Sequence, residues 1–67
     1  MERIIYLDVA DDNELDNTFN TTYQRAHNFI HYLYNCNMRV IFRTDEREID
    51  YFDYLRIRRE QTWNTTN

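Results

Sequence analysis

Nine carboxylates in two blocks are the residues best placed to do chemistry: Asp8, Asp11, Asp12, Glu14 and Asp16, then Asp45, Glu46, Glu48 and Asp50. Acid/base catalysis would need some of them buried or crowded enough to shift their pKa values. Carboxylates at an exposed end of a small domain keep ordinary values, so an enzyme is not expected. Calcium binding would need a glycine at the sharp turn and ligands at fixed offsets. The chain has no glycine, and Asp8, Asp11, Asp12 and Glu14 fit no such loop. What remains is charge itself: an acidic surface shown to a basic partner, able to copy the spacing of nucleic-acid phosphates. The plainer account is that some of these acids favour a helix N-terminus and the rest keep a small domain soluble.

Other reactive residues are sparse. His27 and His31 stand four apart and would share a helix face, with Cys36 about one turn on. That set lacks the fourth ligand of a structural zinc site, and no metal or other cofactor is expected. The pair could instead give a pH-dependent interface. Serine is absent. Cys36 falls on an apolar stripe, where a cysteine reads as a small core residue rather than a nucleophile. Without glycine, neither a phosphate-binding loop nor a dinucleotide fingerprint can form.

Composition narrows the class further. Sixty-seven residues make one domain that buries only about 60% of its unfolded surface, and the lone cysteine offers no internal disulfide. Six Tyr, four Phe and one Trp supply the material for a dense core, which argues against disorder. Eight bases, every one an arginine, face twelve acids for a net charge of −4. That balance argues against wrapping DNA or binding an anionic membrane, and favours basic proteins as partners. Charges surround the short apolar run at residues 4–7, unlike a signal peptide, and no stretch approaches the length of a membrane span. A cytoplasmic location is the expectation. The two Asn-Thr-Thr triplets at Asn20 and Asn64 are then chance sequons.

Three strands and a helix must position these residues. Residues 3–9 are rich in β-branched and aromatic types and read as a strand, with Ile5, Leu7 and Val9 on one face. Asp11 and Glu14 resemble a capping box. From there Leu15, Phe19, Thr22, Ala26, Phe29, Leu33 and Cys36 recur at alternating spacings of four and three, the signature of one long helix. Residues 17–22 are poor helix formers and could break it, while Asn35–Asn37 end it in place of a glycine. Residues 38–43 are a second strand with Met38, Val40 and Phe42 inward. After a polar turn at 44–47, residues 48–58 alternate and read as a third strand, although Ile49, Phe52 and Leu55 would also suit a helix. Residues 60–67 read as a polar tail whose only sticky residue is Trp63.

The expected fold is therefore α+β, in the order β-α-β-β: a three-stranded mixed sheet with one long helix on one face, compact over residues 1–59. The crossover makes the first two strands parallel. One helix covers one face only, which leaves Ile4, Tyr6, Ile41, Phe52 and Tyr54 on the other. Tyr6, Ile41, Phe52 and Tyr54 are the expected contact between the subunits of a homodimer.

This topology gives the charge pattern a direction. Residues 1–20 sum to −5, 21–44 to +3, 45–53 to −4 and 54–67 to +2. Parallel strands one and two end at the same edge, so both acidic blocks converge on one pole. A third strand running back would carry Arg56, Arg58 and Arg59 to the opposite pole, with Arg3 and Arg39. A continuous helix of about 37 Å would overhang the sheet at the acidic pole, and Leu15 and Phe19 would then need cover.

In size, acidic blocks, and aromatic and Asn/Thr richness, the chain resembles the small acidic host-takeover proteins of bacterial viruses. Among them are DNA mimics such as the phage inhibitor of the histone-like protein HU. The resemblance implies a non-enzymatic inhibitor that occupies the nucleic-acid-binding surface of a host DNA-binding protein. It rests on character rather than a motif and assigns no individual residue. Eight arginines depart from the one-sided charge of an effective mimic. Two other readings stay open. Tyr54-Leu-Arg-Ile-Arg-Arg59 on a strand could bind single-stranded nucleic acid directly, and acidic and basic poles of neighbouring copies could assemble head to tail.

Overall fold

The computed structural model describes residues 2–65, with side chains as far as residue 61. Its elements are β1 (Arg3–Asp8), α1 (Asp12–Asn35), β2 (Met38–Arg43), β3 (Glu48–Asp50) and α2 (Tyr51–Thr65). The sheet runs in the order β1-β2-β3. β1 and β2 are parallel, with Arg3 beside Met38 and Asp8 beside Arg43; β2 and β3 are antiparallel, with Ile41 beside Asp50 and Arg43 beside Glu48. The α+β class and the β-α-β-β order stand as expected, with one helix added.

α1 is continuous over 24 residues and does not break at 17–22. Asp11 is its N-cap, in extended conformation, and its side-chain Oδ1 accepts the Glu14 N–H at 2.9 Å. That bond satisfies one of the donors a helix start leaves unpaired. The poor helix formers are carried by the buried side of the helix, where Leu15, Phe19 and Ile30 are nearly inaccessible. Packing of an amphipathic face outweighs weak propensity. At the other end Asn37 takes a positive φ of 64°, the left-handed position for which asparagine is the best substitute for glycine. The turn is closed by the Cys36 N–H on Leu33 O and the Asn37 N–H on Tyr34 O.

The third strand is much shorter than the alternation of residues 48–58 suggests. It stops at Asp50, whose Oδ1 accepts the backbone N–H groups of Phe52 at 2.8 Å and Asp53 at 3.4 Å. Asp50 thus caps α2, and the chain turns helical at Tyr51. The helix wins because it buries Tyr51, Tyr54 and Leu55 together at one-turn spacing, while leaving Asp53 in solvent. A strand would have set Asp53 among the apolar residues. Residues 60–65, read as a polar tail, continue α2 in backbone. The Trp63 side chain and residues 66–67 lie outside the described residues.

α1 and α2 pack on the same side of the sheet, with Leu15, Phe19, Ile30, Val40, Phe42, Tyr51, Tyr54 and Leu55 forming the core. α2 supplies the cover that Leu15 and Phe19 need: the Phe19 ring sits 5.2 Å from Tyr51 and 5.0 Å from Tyr54, the latter edge-on. Edge-on aromatic pairs add about 0.5–1.5 kcal/mol beyond the area they bury.

The helices run antiparallel. Phe52, at the start of α2, meets Tyr34 and His31 near the end of α1, whereas Arg58 reaches Asp16 near its beginning.

Candidate functional site

Both acidic blocks arrive at one end of the sheet, as parallel pairing of β1 and β2 requires. Asp11 and Asp12, at the start of α1, and Asp45 and Glu46, in the β2–β3 turn, line one shallow cleft. The turn is held by Thr44, whose Oγ1 accepts the N–H groups of Glu46 and Arg47 at 3.2 and 3.1 Å. Its N–H donates to Arg47 O at 2.8 Å.

Three arginines enter this end: Arg43 and Arg47, which close β2 and its turn, and Arg58, which was expected at the opposite pole. Arg43, directly opposite Asp8 in the β1–β2 register, grips both carboxylate oxygens of Asp8 at 2.6 and 3.2 Å. These hydrogen bonds hold the Asp8 carboxyl below the ordinary aspartate value. Arg47 spans from the turn to Asp12, 3.2 Å away, so it bridges the two acidic blocks. Arg58 pairs with Asp16, which also accepts the Tyr54 hydroxyl at 3.0 Å. α2 therefore returns Arg58 to the acidic end, and the expected delivery of Arg56, Arg58 and Arg59 to the opposite pole is overturned by the helix that replaces the long strand.

The nine acids thus divide into three groups. Asp8, Asp12 and Asp16 are each neutralised by an arginine. Asp50 is not part of the acidic end: it is 8% exposed, caps α2, and pairs with Arg39 at 3.2 Å. Its role is structural. Asp11, Glu14, Asp45, Glu46 and Glu48 remain exposed and have no ion pair among the described residues. Asp11 is committed to its cap, and Glu48 lies near Arg43. The acidic surface is smaller than nine residues, and its centre is the cleft lined by Asp11, Asp12, Asp45 and Glu46.

The expected subunit contact is split by the same helix. Tyr6 and Ile41 do sit side by side on the open face of the sheet, where Tyr6 is 40% exposed. Phe52 and Tyr54 do not. They belong to α2 on the covered side, Tyr54 in the core and Phe52 packed against it. The single-strand platform of Tyr54–Arg59 is not formed either, since those residues are helical, Tyr54 is buried, and Arg58 is engaged by Asp16.

His27 and His31 are held apart from any shared ligand. His27 Nδ1 and the Tyr51 hydroxyl lie 2.9 Å apart in a hydrogen bond linking the two helices, while His31 meets Asn35 at 3.4 Å. Cys36 is exposed at the helix end rather than part of the core stripe. Among the described residues no three His, Cys, Asp or Glu side chains cluster closely enough to hold a metal ion, and no helix is long and apolar enough to cross a membrane.

Some of the missed partners had a signal. Asp50 and Asp53 stand three apart at the start of a helical spacing, a cap pattern. Asp8 and Arg43 are the last residues of two strands that pair in parallel. Arg58 gave none, because its position depends wholly on α2 being a helix. Comparison with protein-family models, curated proteins and solved structures finds no match to this chain.

Proposed function

We propose that this chain is a non-enzymatic acidic binding protein whose acidic end occupies a basic surface of another protein, in its sharper form the nucleic-acid-binding surface of a DNA-binding protein. The observation that supports it is the cleft lined by Asp11 and Asp12 on one side and Asp45 and Glu46 on the other, with Glu14 and Glu48 also exposed on the elements that carry them. Arg47 ties the two blocks together, so the exposed carboxylates sit on a scaffold rather than on a loose turn. A preformed array of like charge suits a basic groove, because no ordering of the array has to accompany binding. The three inserted arginines give the surface a pattern, and specificity comes from such patterns more than from total charge.

The experiment is capture from a nuclease-treated cell lysate on the immobilised protein, at low and high salt, beside a variant with Glu14→Gln, Asp45→Asn, Glu46→Gln and Glu48→Gln. A basic DNA-binding protein held at low salt, released by salt and bound at least roughly tenfold more weakly by the variant is the expected result. Equal retention by the variant, with unchanged circular dichroism, sinks the proposal.

A further inference from the structure

β1 is an edge strand. Among the described residues nothing pairs with its outer side. The Arg3 N–H bonds Asn37 O and the Val9 N–H bonds Arg43 O, both toward β2. Backbone groups of an extended strand alternate in direction, so Arg3, Ile5, Leu7 and Val9 serve β2. Ile4, Tyr6 and Asp8 then turn their N–H and C=O groups outward. Such an edge is normally blunted by proline, charged side chains, a bulge or a covering element; this one has charges only at its two ends, Arg3 and Asp8, around Ile-Ile-Tyr-Leu, and among the described residues its register with β2 is unbroken.

A second feature lies along the same side. Tyr23, His27 and Tyr34 of α1 are the residues turned toward α2 and the core rings beside it, through Phe19, Tyr51 and Phe52. Helical spacing puts Phe29 and Tyr32 on the opposite flank of α1, on the β1 side, because α2 lies over β2 and β3. These two rings stack on each other at 6.5 Å. They are the most exposed large apolar side chains of the described residues, at 59% and 61%.

We propose that the β1 edge and the Phe29–Tyr32 flank together form the interface with a second copy of this chain, joined as an antiparallel β1–β1 pair about a two-fold axis at Tyr6. That register matches outward-facing residues with one another: Tyr6 with Tyr6, and Ile4 with Asp8 of the second copy. The neighbouring register, centred on Ile5, would set Asp8 opposite Glu2 of the other copy, a like-charge pair that is unfavourable. Antiparallel pairing also brings Arg3 of each copy beside the Asp8–Asp12 end of the other, so the charges complement. The same axis sets the two β2 strands three strand spacings apart, roughly 14 Å. Helices in contact sit about 8–10 Å apart, and the Phe29 and Tyr32 rings of both copies fill the difference. An unrelated extended peptide would cap the edge but leave those rings in water. A second copy covers both features at once. This interface differs from the open sheet face and meets the acidic end only at its β1 margin, leaving Asp45, Glu46 and Glu48 of the β2–β3 side free for another partner.

Sedimentation velocity on the full chain should give a species of twice 8.5 kDa that dissociates on dilution. Phe29→Asp with Tyr32→Asp, both at exposed positions, should weaken it at least 100-fold while leaving the helical signal intact. A chemical test fixes the register. In a Cys36→Ala background, Tyr6→Cys should oxidise to a covalent dimer, since paired residues at the axis lie about 5.5 Å apart, within disulfide reach. Ile4→Cys, four residues from its own mate, should not. A monomer at millimolar concentration overturns the proposal. So does a dimer indifferent to the Phe29 and Tyr32 substitutions, or equal cross-linking at positions 4 and 6.

Discussion

The two faces of the sheet are closed by different physics. On the covered side Val40 and Phe42 are sealed by aromatic rings from both helices, and Phe42 and Tyr51 have no accessible surface. On the open side Ile4, Tyr6 and Ile41 are fenced by arginines. Arg43 lies 4.3 Å above the Tyr6 ring while holding Asp8, and Arg39 joins Asp50 to Glu2. The first face depends on excluded water, which salt does not screen. The second depends on charges that, Asp50 apart, lie partly in solvent, and their attraction falls with ionic strength. A chain without glycine or disulfide can hold a small sheet by concentrating its rings on one side and letting long arginine stems shade the other.

The sharpest way to break this comparison is Phe19→Ala. It removes the ring that meets Tyr23, Phe42, Tyr51 and Tyr54, and should cost about 3–5 kcal/mol. That approaches the whole stability of so small a domain, so circular dichroism at 25 °C should show an unfolded chain. Asp50→Ala comes next, at about 1–2 kcal/mol for the lost cap, with Asp50→Asn recovering part of it in urea titrations. Arg43→Ala should cost less than either, and its effect should shrink in high salt, whereas that of Phe19→Ala should not. A salt-independent Arg43→Ala would mean that its stem, rather than its charge, protects Tyr6.

Proton linkage separates the faces as well. Burial, and the hydrogen bond to Asp16, raise the Tyr54 hydroxyl above its ordinary value of 10.0. A group whose folded pKa is raised contributes stability that is fully present below its unfolded value and is lost as pH rises through the folded one. The covered face should therefore loosen above about pH 10, seen as tyrosinate absorbance appearing together with loss of helix. Asp8 has the opposite sign. Its lowered pKa contributes stability above its unfolded value, lost as pH falls through the folded one. Arg43→Ala should remove that acid dependence and leave the alkaline one unchanged.

How much of this was readable from residue order depended on how local each signal was. β1, α1 and β2 announced themselves because their apolar periods are long and their caps, Asp11 and Asn37, are adjacent in sequence. Convergence of the acidic blocks followed from parallel pairing alone. α2 was hidden because residues 48–58 satisfy a period of two almost as well as a helical one. The choice is made by a tertiary fact, the need of Leu15 and Phe19 for cover, together with the Asp50 cap. Misreading that one segment moved Phe52 and Tyr54 to the wrong side of the sheet and Arg58 to the wrong end. The pairing of Asp16 was lost with it.

The crossover from β1 to β2 has a consequence in time. Arg3 and Met38 are neighbours in the sheet although the rest of β1, 24 helical residues and two short links separate them in the chain. The β2–β3 turn, by contrast, closes over residues 44–47. Closing a long loop costs more chain entropy than closing a short one, and pairings distant in sequence form late. Loop entropy therefore favours the hairpin with its trailing helix as the nucleus of the monomer, and β1 is the element expected to dock last. In hydrogen exchange on the monomer, the amides of Arg3, Ile5 and Leu7 should then lose protection before that of Phe42, which should open only with the whole domain.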